Sequence, residues 1–257
     1  MASGTPGLAV EGLRVQFGGV VAVDDVSLIA PPGRITGLIG PNGAGKTTTF
    51  NACSGLLRPR EGRVVLDGTD ITGASPAVRA QRGLGRTFQR MELFHSQTVR
   101  DNVALGREAG MAGSRMLGQF LTRRGERDMI DLETERALSL CGISPLADVA
   151  VRDLSTGQRR LVELARVVAG SFSLLLLDEP SSGLDHDETR AFGEVLQHLV
   201  AERGTGILLV EHDMALVMAV CTSIYVLDFG KLIFAGTPEE VAVSPTVREA
   251  YLGNEVG

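Results

Sequence analysis

Hydrophobic and polar residues alternate near the start of the chain. Val10, Leu13, Val15 and Phe17 are interleaved with Glu11, Arg14 and Gln16, roughly the period of two that turns one face of a strand to a core and the other to water. Val20 to Ile29 and Arg63 to Leu66 repeat the pattern, and Asp67-Gly68 marks a turn behind the latter. The first third therefore predicts antiparallel strands around one special loop. Three segments lack a polar face: Ile35 to Ile39, Leu174 to Leu177 and Ile207 to Val210 are almost continuously apolar, as strands of a parallel sheet covered on both sides should be. Each runs into polar residues, which is where such a sheet receives a ligand.

Between about Thr98 and Ala169 the strand signals vanish. Met129, Leu132, Ala137, Leu138 and Leu140 fall at helix-like spacing among Glu and Arg, predicting a helical segment inserted in the sheet unit. Within it, Arg107 to Arg127 stays open between a loop and an exposed helix. Ile224 to Leu227 and Leu232 to Ala235 flank Asp228-Phe229-Gly230-Lys231 as a hairpin, and Thr237-Pro238-Glu239-Glu240 has the form of a capping box opening a helix.

Composition narrows the picture in three ways. At 257 residues and 44% hydrophobic the chain is long enough for one compact α/β unit. No apolar run approaches the roughly 18 to 20 residues that a bilayer crossing needs, and Met1 to Pro6 lacks the form of a secretory signal, so a cytosolic chain that reaches a membrane only through a partner is expected. A net charge of −6, with two Tyr and no Trp, gives no bulk reason to hold nucleic acid. Cys53, Cys141 and Cys221 lack metal or disulfide spacing and read as buried thiols.

The chemistry is concentrated in a few loops. Gly40-Pro41-Asn42-Gly43-Ala44-Gly45-Lys46-Thr47 fits GxxxxGK[ST] between the strand Ile35 to Ile39 and a helix expected to run to about Leu57. In such a loop, backbone N–H groups curl around phosphates, the helix start adds positive potential, Lys46 reaches the β and γ phosphates and the Thr47 hydroxyl can ligate Mg²⁺; Thr48 follows in the same turn. ATP fits this loop. Asp178 and Glu179 end the strand Leu174 to Leu177, where Asp178 would hold Mg²⁺ opposite Thr47 and Glu179 would polarise an attacking water. Ser155 is a good cap for a helix from Gln158 to Ala169, offering a second helix start at which a phosphate could dock.

Leu154-Ser155-Thr156-Gly157-Gln158 resembles the LSGGQ motif of the ABC ATPase superfamily, and its order after the phosphate loop and before Leu174 to Pro180 makes the likeness specific. The resemblance spans about Leu8 to Leu252 and implies an α/β fold: a P-loop NTPase (RecA-like) core with antiparallel strands at about 8–90 and 170–235, a helical subdomain at about 91–169 and a helical tail at about 237–252. It implies that Gln89 is the Q-loop glutamine sensing Mg²⁺ and water, that Ser181 to Asp185 form the D-loop and that His212 contacts the γ-phosphate. It also implies that Phe17 stacks on adenine, a core Phe explaining that position almost as well. Ser155, Thr156, Gly157, Gln158 and Asp185 would complete the ATP site of a second ATPase subunit, identical or related.

Within the superfamily the chain is most similar to ATPases of branched-chain amino acid importers, through Arg86-Thr87-Phe88-Gln89, Val210 to Met214 and Ala250-Tyr251-Leu252-Gly253. Thr156 and Asp185 depart from that subgroup's usual residues, though no catalytic group is missing. Transmembrane permease subunits, and through them a substrate-binding protein, are the implied partners at the cytoplasmic face of the membrane. Met91, Leu93 and Phe94 are candidates for touching a permease, with core packing an equal alternative. Urea-uptake and lipopolysaccharide-export ATPases are near alternatives. Ribosomal or chromosomal ABC proteins fit less well, since one cassette is present and no coiled coil separates Thr47 from Leu154.

Overall fold

The computed structural model describes residues 7–87, 92–112 and 123–252. Strands β1 (Leu8–Phe17) and β2 (Val20–Ala30) form a hairpin; β3 (Ile35–Ile39) and helix α1 (Lys46–Ser54) follow, then β4 (Glu61–Leu66), β5 (Thr69–Asp70), α2 (Pro76–Gln81) and β6 (Leu84–Arg86). The helical insertion holds α3 (Val99–Ala112), α4 (Arg123–Leu140) and α5 (Thr156–Ala169). The chain then re-enters the sheet as β7 (Leu174–Asp178), α6 (His186–Arg203), β8 (Gly206–Val210), α7 (Met214–Val220), β9 (Ser223–Asp228) and β10 (Lys231–Gly236), and ends in α8 (Pro238–Val243) and α9 (Pro245–Leu252).

Two sheets result. One is antiparallel in the order β2-β1-β4-β5, and the other runs β10-β9-β3-β8-β7-β6, parallel except for the edge strand β10. The apolar strands show why the parallel sheet is buried on both faces. Leu175, Leu177, Ile207 and Leu209 join a core with α5, α6 and α7, whereas Leu174, Leu176, Leu208 and Val210 join a second core with α1 and the antiparallel sheet. Successive residues of one strand thus feed two cores, which a polar face would prevent.

The irregular spacing from Val10 to Leu13 corresponds to a register shift between β1 and β2, with Gly12 at φ 58°. Asp67-Gly68 and Phe229-Gly230 are two-residue hairpin turns with both residues at positive φ. Helix α1 stops at Ser54, three residues short of expectation, because Gly55 takes a left-handed cap at φ 82°. In α4, Ala137 and Leu138 are buried but Met129 and Leu132 face solvent, so its expected apolar stripe reaches the core only in the last two turns. Residues 107–112 and 123–127 of the segment left open are helical, and its middle lies outside the described residues. Cys53, Cys141 and Cys221 are buried, and burial pushes all three thiols up to about 12.

Candidate functional site

The site lies at the carboxyl ends of β3, β7 and β8, the strands at the centre of the parallel sheet. After β3, Gly40 turns the chain at φ 148°, and a Cβ there would sit 2.1 Å from the Leu227 carbonyl. Gly45, the N-cap of α1, has φ 99° and lies so near β2 that a Cβ would be 2.8 Å from Ala22 O. No side chain caps α1 and no acidic residue occupies its first turn, so this helix start is open to an anion. Lys46 is only 7% exposed, and its Nζ donates to Gly40 O (2.6 Å) and Pro41 O (2.9 Å), across the loop. Burial holds its pKa below the usual lysine value, against the pull of Glu179 and Asp178.

Asp178 ends β7 and is 2% exposed. Its Oδ2 lies 3.7 Å from Arg86 Nη2, while its Oδ1 is buried with no hydrogen-bond partner. Burial raises this carboxyl above the usual range, Arg86 opposes, Glu179 and Glu211 add to the rise, and Lys46 opposes more weakly. An orphaned buried carboxylate oxygen beside a phosphate loop suits Mg²⁺, whose preference is for oxygen ligands. Among the described residues no three His, Cys, Asp or Glu side chains could hold a metal together. The ion would therefore need Asp178, the Thr47 hydroxyl and ligand oxygens in combination. Gln89, the other expected metal ligand, lies outside the described residues, as does Met91.

Glu179 follows at φ 47°, a left-handed conformation that is strained for a glutamate, and its N–H donates to Val210 O at 2.8 Å. His212 Nδ1 stands 4.0 Å from Glu179 Oε2 and 3.7 Å from Glu211 Oε2. Glu211 is fully buried. It accepts from the Ser181 N–H (2.9 Å), the Ser181 hydroxyl (2.7 Å) and the His212 N–H (3.1 Å), fastening the loop after β7 to the loop after β8.

Asn42 to Thr48 and Glu179 line a cavity of about 410 Å³, whose other walls are Val20, Val21, Ala22, Phe229 and Gly230. A larger cleft of about 750 Å³ lies at the opposite ends of the strands, but its charges answer one another: Glu133 accepts from Arg136 (2.7 Å) and Ser171 (3.2 Å) and pairs with Arg203 (3.2 Å). The phosphate-loop residues and Glu179 line the smaller cavity.

The remaining expected residues are elsewhere. Ser155 caps α5 in a closed box: Gln158 N–H donates to Ser155 Oγ (3.2 Å) and Ser155 N–H donates to Gln158 Oε1 (3.0 Å). Gly157 is packed so closely that a Cβ would meet Glu188 Oε1 at 2.5 Å. Arg160 Nε and Nη2 donate to Ser182 O at 3.2 and 3.1 Å, and Thr156 lies beside Gly183. Asp185 caps α6, accepting from Glu188 N–H at 2.8 Å. Ser155 to Gln158 and Asp185 are thus held with each other and do not line the phosphate cavity. Phe17 is 53% exposed, which removes the core alternative, and it too is absent from the cavity wall. Leu93 is buried in the core, contrary to a contact role, whereas Phe94 stays half exposed.

Two residues that touch site groups, Glu211 and Arg86, were named in the sequence only within the runs that carry the resemblance and were given no role of their own there. Glu211 carried a usable signal, a carboxylate directly after an all-apolar strand. Arg86 did not, because β6 is only three residues long; the structure places Arg86 between Asp178, Asn51 Oδ1 (2.9 Å) and the Phe50 ring (4.6 Å).

The sequence profile of the ABC transporter family matches residues 23–182. The chain belongs to the ABC transporter family. It is an ABC ATPase, and its family binds ATP. A second profile, branched-chain amino acid ATP-binding cassette transporter, matches residues 231–257. The chain is 38% identical over 251 residues to the high-affinity branched-chain amino acid transport ATP-binding protein LivG of Salmonella typhimurium, covering 96% of this chain and 98% of the relative. It is 37% identical over 235 residues to the lipopolysaccharide export system ATP-binding protein LptB of Acidithiobacillus ferridurans, covering 91% and 92%. Its fold is similar to the crystal structure of an ATP-binding cassette of an ABC transporter in its ADP conformation, with a TM-score of 0.84, 29% identity and coverage of 96% and 98%. Among the described residues no helix is long and apolar enough to cross a membrane.

Proposed function

We propose that this ABC ATPase is the ATP-hydrolysing subunit of an importer for branched-chain or related amino acids, working as one of two ATPase subunits on permeases at the cytoplasmic face of the membrane. The observation that carries the ATPase half is the meeting of Lys46, Asp178, Glu179 and His212 at three adjacent strand ends. The substrate class rests on the likeness to LivG together with the match at residues 231–257.

On this reading the phosphates of ATP lie on the open start of α1, and Lys46 exchanges the Gly40 and Pro41 carbonyls for the β and γ phosphates. Mg²⁺, held by Asp178 and Thr47 with Gln89, would neutralise charge on the phosphate oxygens. Glu179 accepts a hydrogen bond from the attacking water and aligns it, and His212 donates one to the γ-phosphate. Glu211 keeps Glu179 and His212 in register through Ser181. Ser155 to Gln158 and Asp185 are turned away from the cavity of their own chain, so they serve the ATP bound to a second ATPase subunit. Hydrolysis removes the γ-phosphate contact and lets the pair open.

LptB supports a second reading, lipopolysaccharide export, at nearly the same identity. Co-purification from native membranes separates the two. Recovery of two multi-spanning permeases with a second ATPase and a substrate-binding protein supports amino acid import. Recovery of an export permease without a binding protein supports the other, and recovery of ribosomes or chromatin alone overturns transport.

A further inference from the structure

Helix α5 buries two charged side chains among its apolar ones. Arg160 and Glu163 are 6% and 9% exposed, while the rest of the buried face is Gly157, Val162, Leu164, Ala165, Val168 and Ala169. The pair bonds along the helix, Arg160 Nη1 donating to Glu163 Oε2 at 3.0 Å. An apolar pair of similar size is often as stable in such a place, so stability alone does not account for the charges.

What an apolar pair could not do is hold a backbone carbonyl of another loop. Arg160 Nε and Nη2 both donate to Ser182 O, at 3.2 and 3.1 Å, so the planar guanidinium joins the first turns of α5 to the loop after β7. That loop is pinned elsewhere by Glu211, which accepts from the Ser181 N–H and hydroxyl, and it continues into Asp185, the cap of α6. Around the guanidinium the two segments pack closely. Thr156 lies beside Gly183, and Glu188, which accepts from the Asp185 N–H at 3.2 Å, fills the space next to Gly157. Those contacts are packing, whereas Arg160 supplies charge-assisted hydrogen bonds, which are stronger and directional.

We propose that Arg160 is a positioning residue for the nucleotide of a second ATPase subunit: it fixes the turn from Ser155 to Gln158 against the loop from Ser181 to Asp185, so that both segments reach one ATP together. The inference deepens the two-subunit reading above and rests on it. Arg160 acts through Ser182 O and the start of α5, not on the nucleotide. With its hydrogen bonds in place the two segments are ordered before the subunits meet. Without them each must be ordered during closure, and that cost falls on the closed dimer rather than on ATP binding to the separate chain. In a two-fold dimer the residue counts twice, so a loss of about tenfold at each site becomes about a hundredfold in the dimer dissociation constant.

The test uses the full chain in the Glu179→Gln background with Mg²⁺ and ATP. Arg160→Met by itself would leave Glu163 buried without its partner, so the informative variant combines Arg160→Met with Glu163→Gln, which removes both charges and leaves side chains of similar size. Calorimetry at low protein concentration should give an ATP Kd for the separate chain within about twofold of Glu179→Gln alone, while analytical ultracentrifugation with ATP should show the dimer Kd raised about a hundredfold. Arg160→Lys, with Glu163 restored, should recover most of the dimer, because an ammonium can donate to Ser182 O and Glu163 together. A residue that only stabilised α5 would lower Tm and leave dimerisation of the folded variant unchanged. A dimer Kd equal to that of Glu179→Gln alone, or a loss of ATP affinity in the separate chain as large as the loss in the dimer, overturns the proposal. Failure of Glu179→Gln itself to dimerise with ATP overturns the two-subunit reading, and the inference with it.

Discussion

Helices α1 and α5 both begin next to glycine, and both starts are read as phosphate-facing, yet their first turns are finished in opposite ways. At α1 the N-cap is Gly45, with no side chain to accept from the helix N–H groups and a buried Lys46 directly after it. At α5 the Ser155 hydroxyl and the Gln158 amide close a reciprocal box. Side-chain capping is worth about 1 kcal/mol, so α1 is left short of partners and α5 is not. The uncapped helix is built to take its acceptors from a ligand. The capped one is complete in the separate chain, and on the proposed reading it would meet a phosphate only when a second subunit presents it.

The sharpest way to break this comparison is to force both helix starts onto one nucleotide. Glu179→Gln keeps the size of the side chain and removes the base, so ATP should bind while hydrolysis falls by about 10²- to 10⁴-fold. Size-exclusion chromatography should then show a dimer with ATP and a monomer without it. Normal turnover by this variant would mean that Glu179 does not polarise the water.

Next in size is Lys46→Ala, which acts on one helix start only. Lys46 is the buried cation of the loop, and on the proposed reading charge-assisted hydrogen bonds from it to phosphate would replace those to two carbonyls. ATP affinity measured by calorimetry should drop by about a hundredfold or more, whereas Ser155→Ala should leave the affinity of the separate chain within about twofold. Equal losses in both variants would place Ser155 in the cavity of its own chain and end the distinction.

The same contrast explains what could be read in the sequence. The all-apolar strands, the glycine-rich loop and Asp178-Glu179 were legible because each is a local pattern with a local physical cause. Helix α6 was not read from the sequence, since its apolar residues Phe192, Leu196 and Leu199 are spread among many charges. The short strands β5 and β6 and helix α2 have no periodicity to read at two, three and six residues. Arg86 reaches the site only through long-range contacts: its partners Asn51 and Asp178 are 35 and 92 positions away. Leu93 and Phe94 show the same limit, since adjacent hydrophobic letters proved to be one core residue and one half-exposed residue.

A smaller effect follows from charge around α1. Burial raises the Asp178 carboxyl, so without ligand the folded chain holds this proton to higher pH than the unfolded chain does. The contribution to stability is present in full below the ordinary aspartate range near 3.8 and is lost as pH rises through the raised folded value. Relative to Asp178→Asn, the unliganded wild type should therefore lose melting temperature as pH increases, a comparison that calorimetric scans across acid to neutral pH can make. The opposite slope would mean that Arg86 outweighs burial. No such slope is expected from Ser155→Ala, because the substitution removes no titrating group.

Ser155→Ala itself has the smallest expected effect and tests the capped side of the comparison directly. Removing the hydroxyl leaves the Gln158 N–H without its side-chain acceptor, at a cost of about 1 kcal/mol, or a fall in Tm of about 2–4 °C for a chain of this size. ATP should not change that deficit in the monomer, since the nucleotide rests on α1. It should change it in the Glu179→Gln background, where a phosphate of the other subunit's ATP can replace the lost acceptor. A deficit that shrinks with ATP only in the dimer would show α5 taking a ligand in trans. A deficit untouched by dimerisation would show that Ser155 is a cap and nothing more.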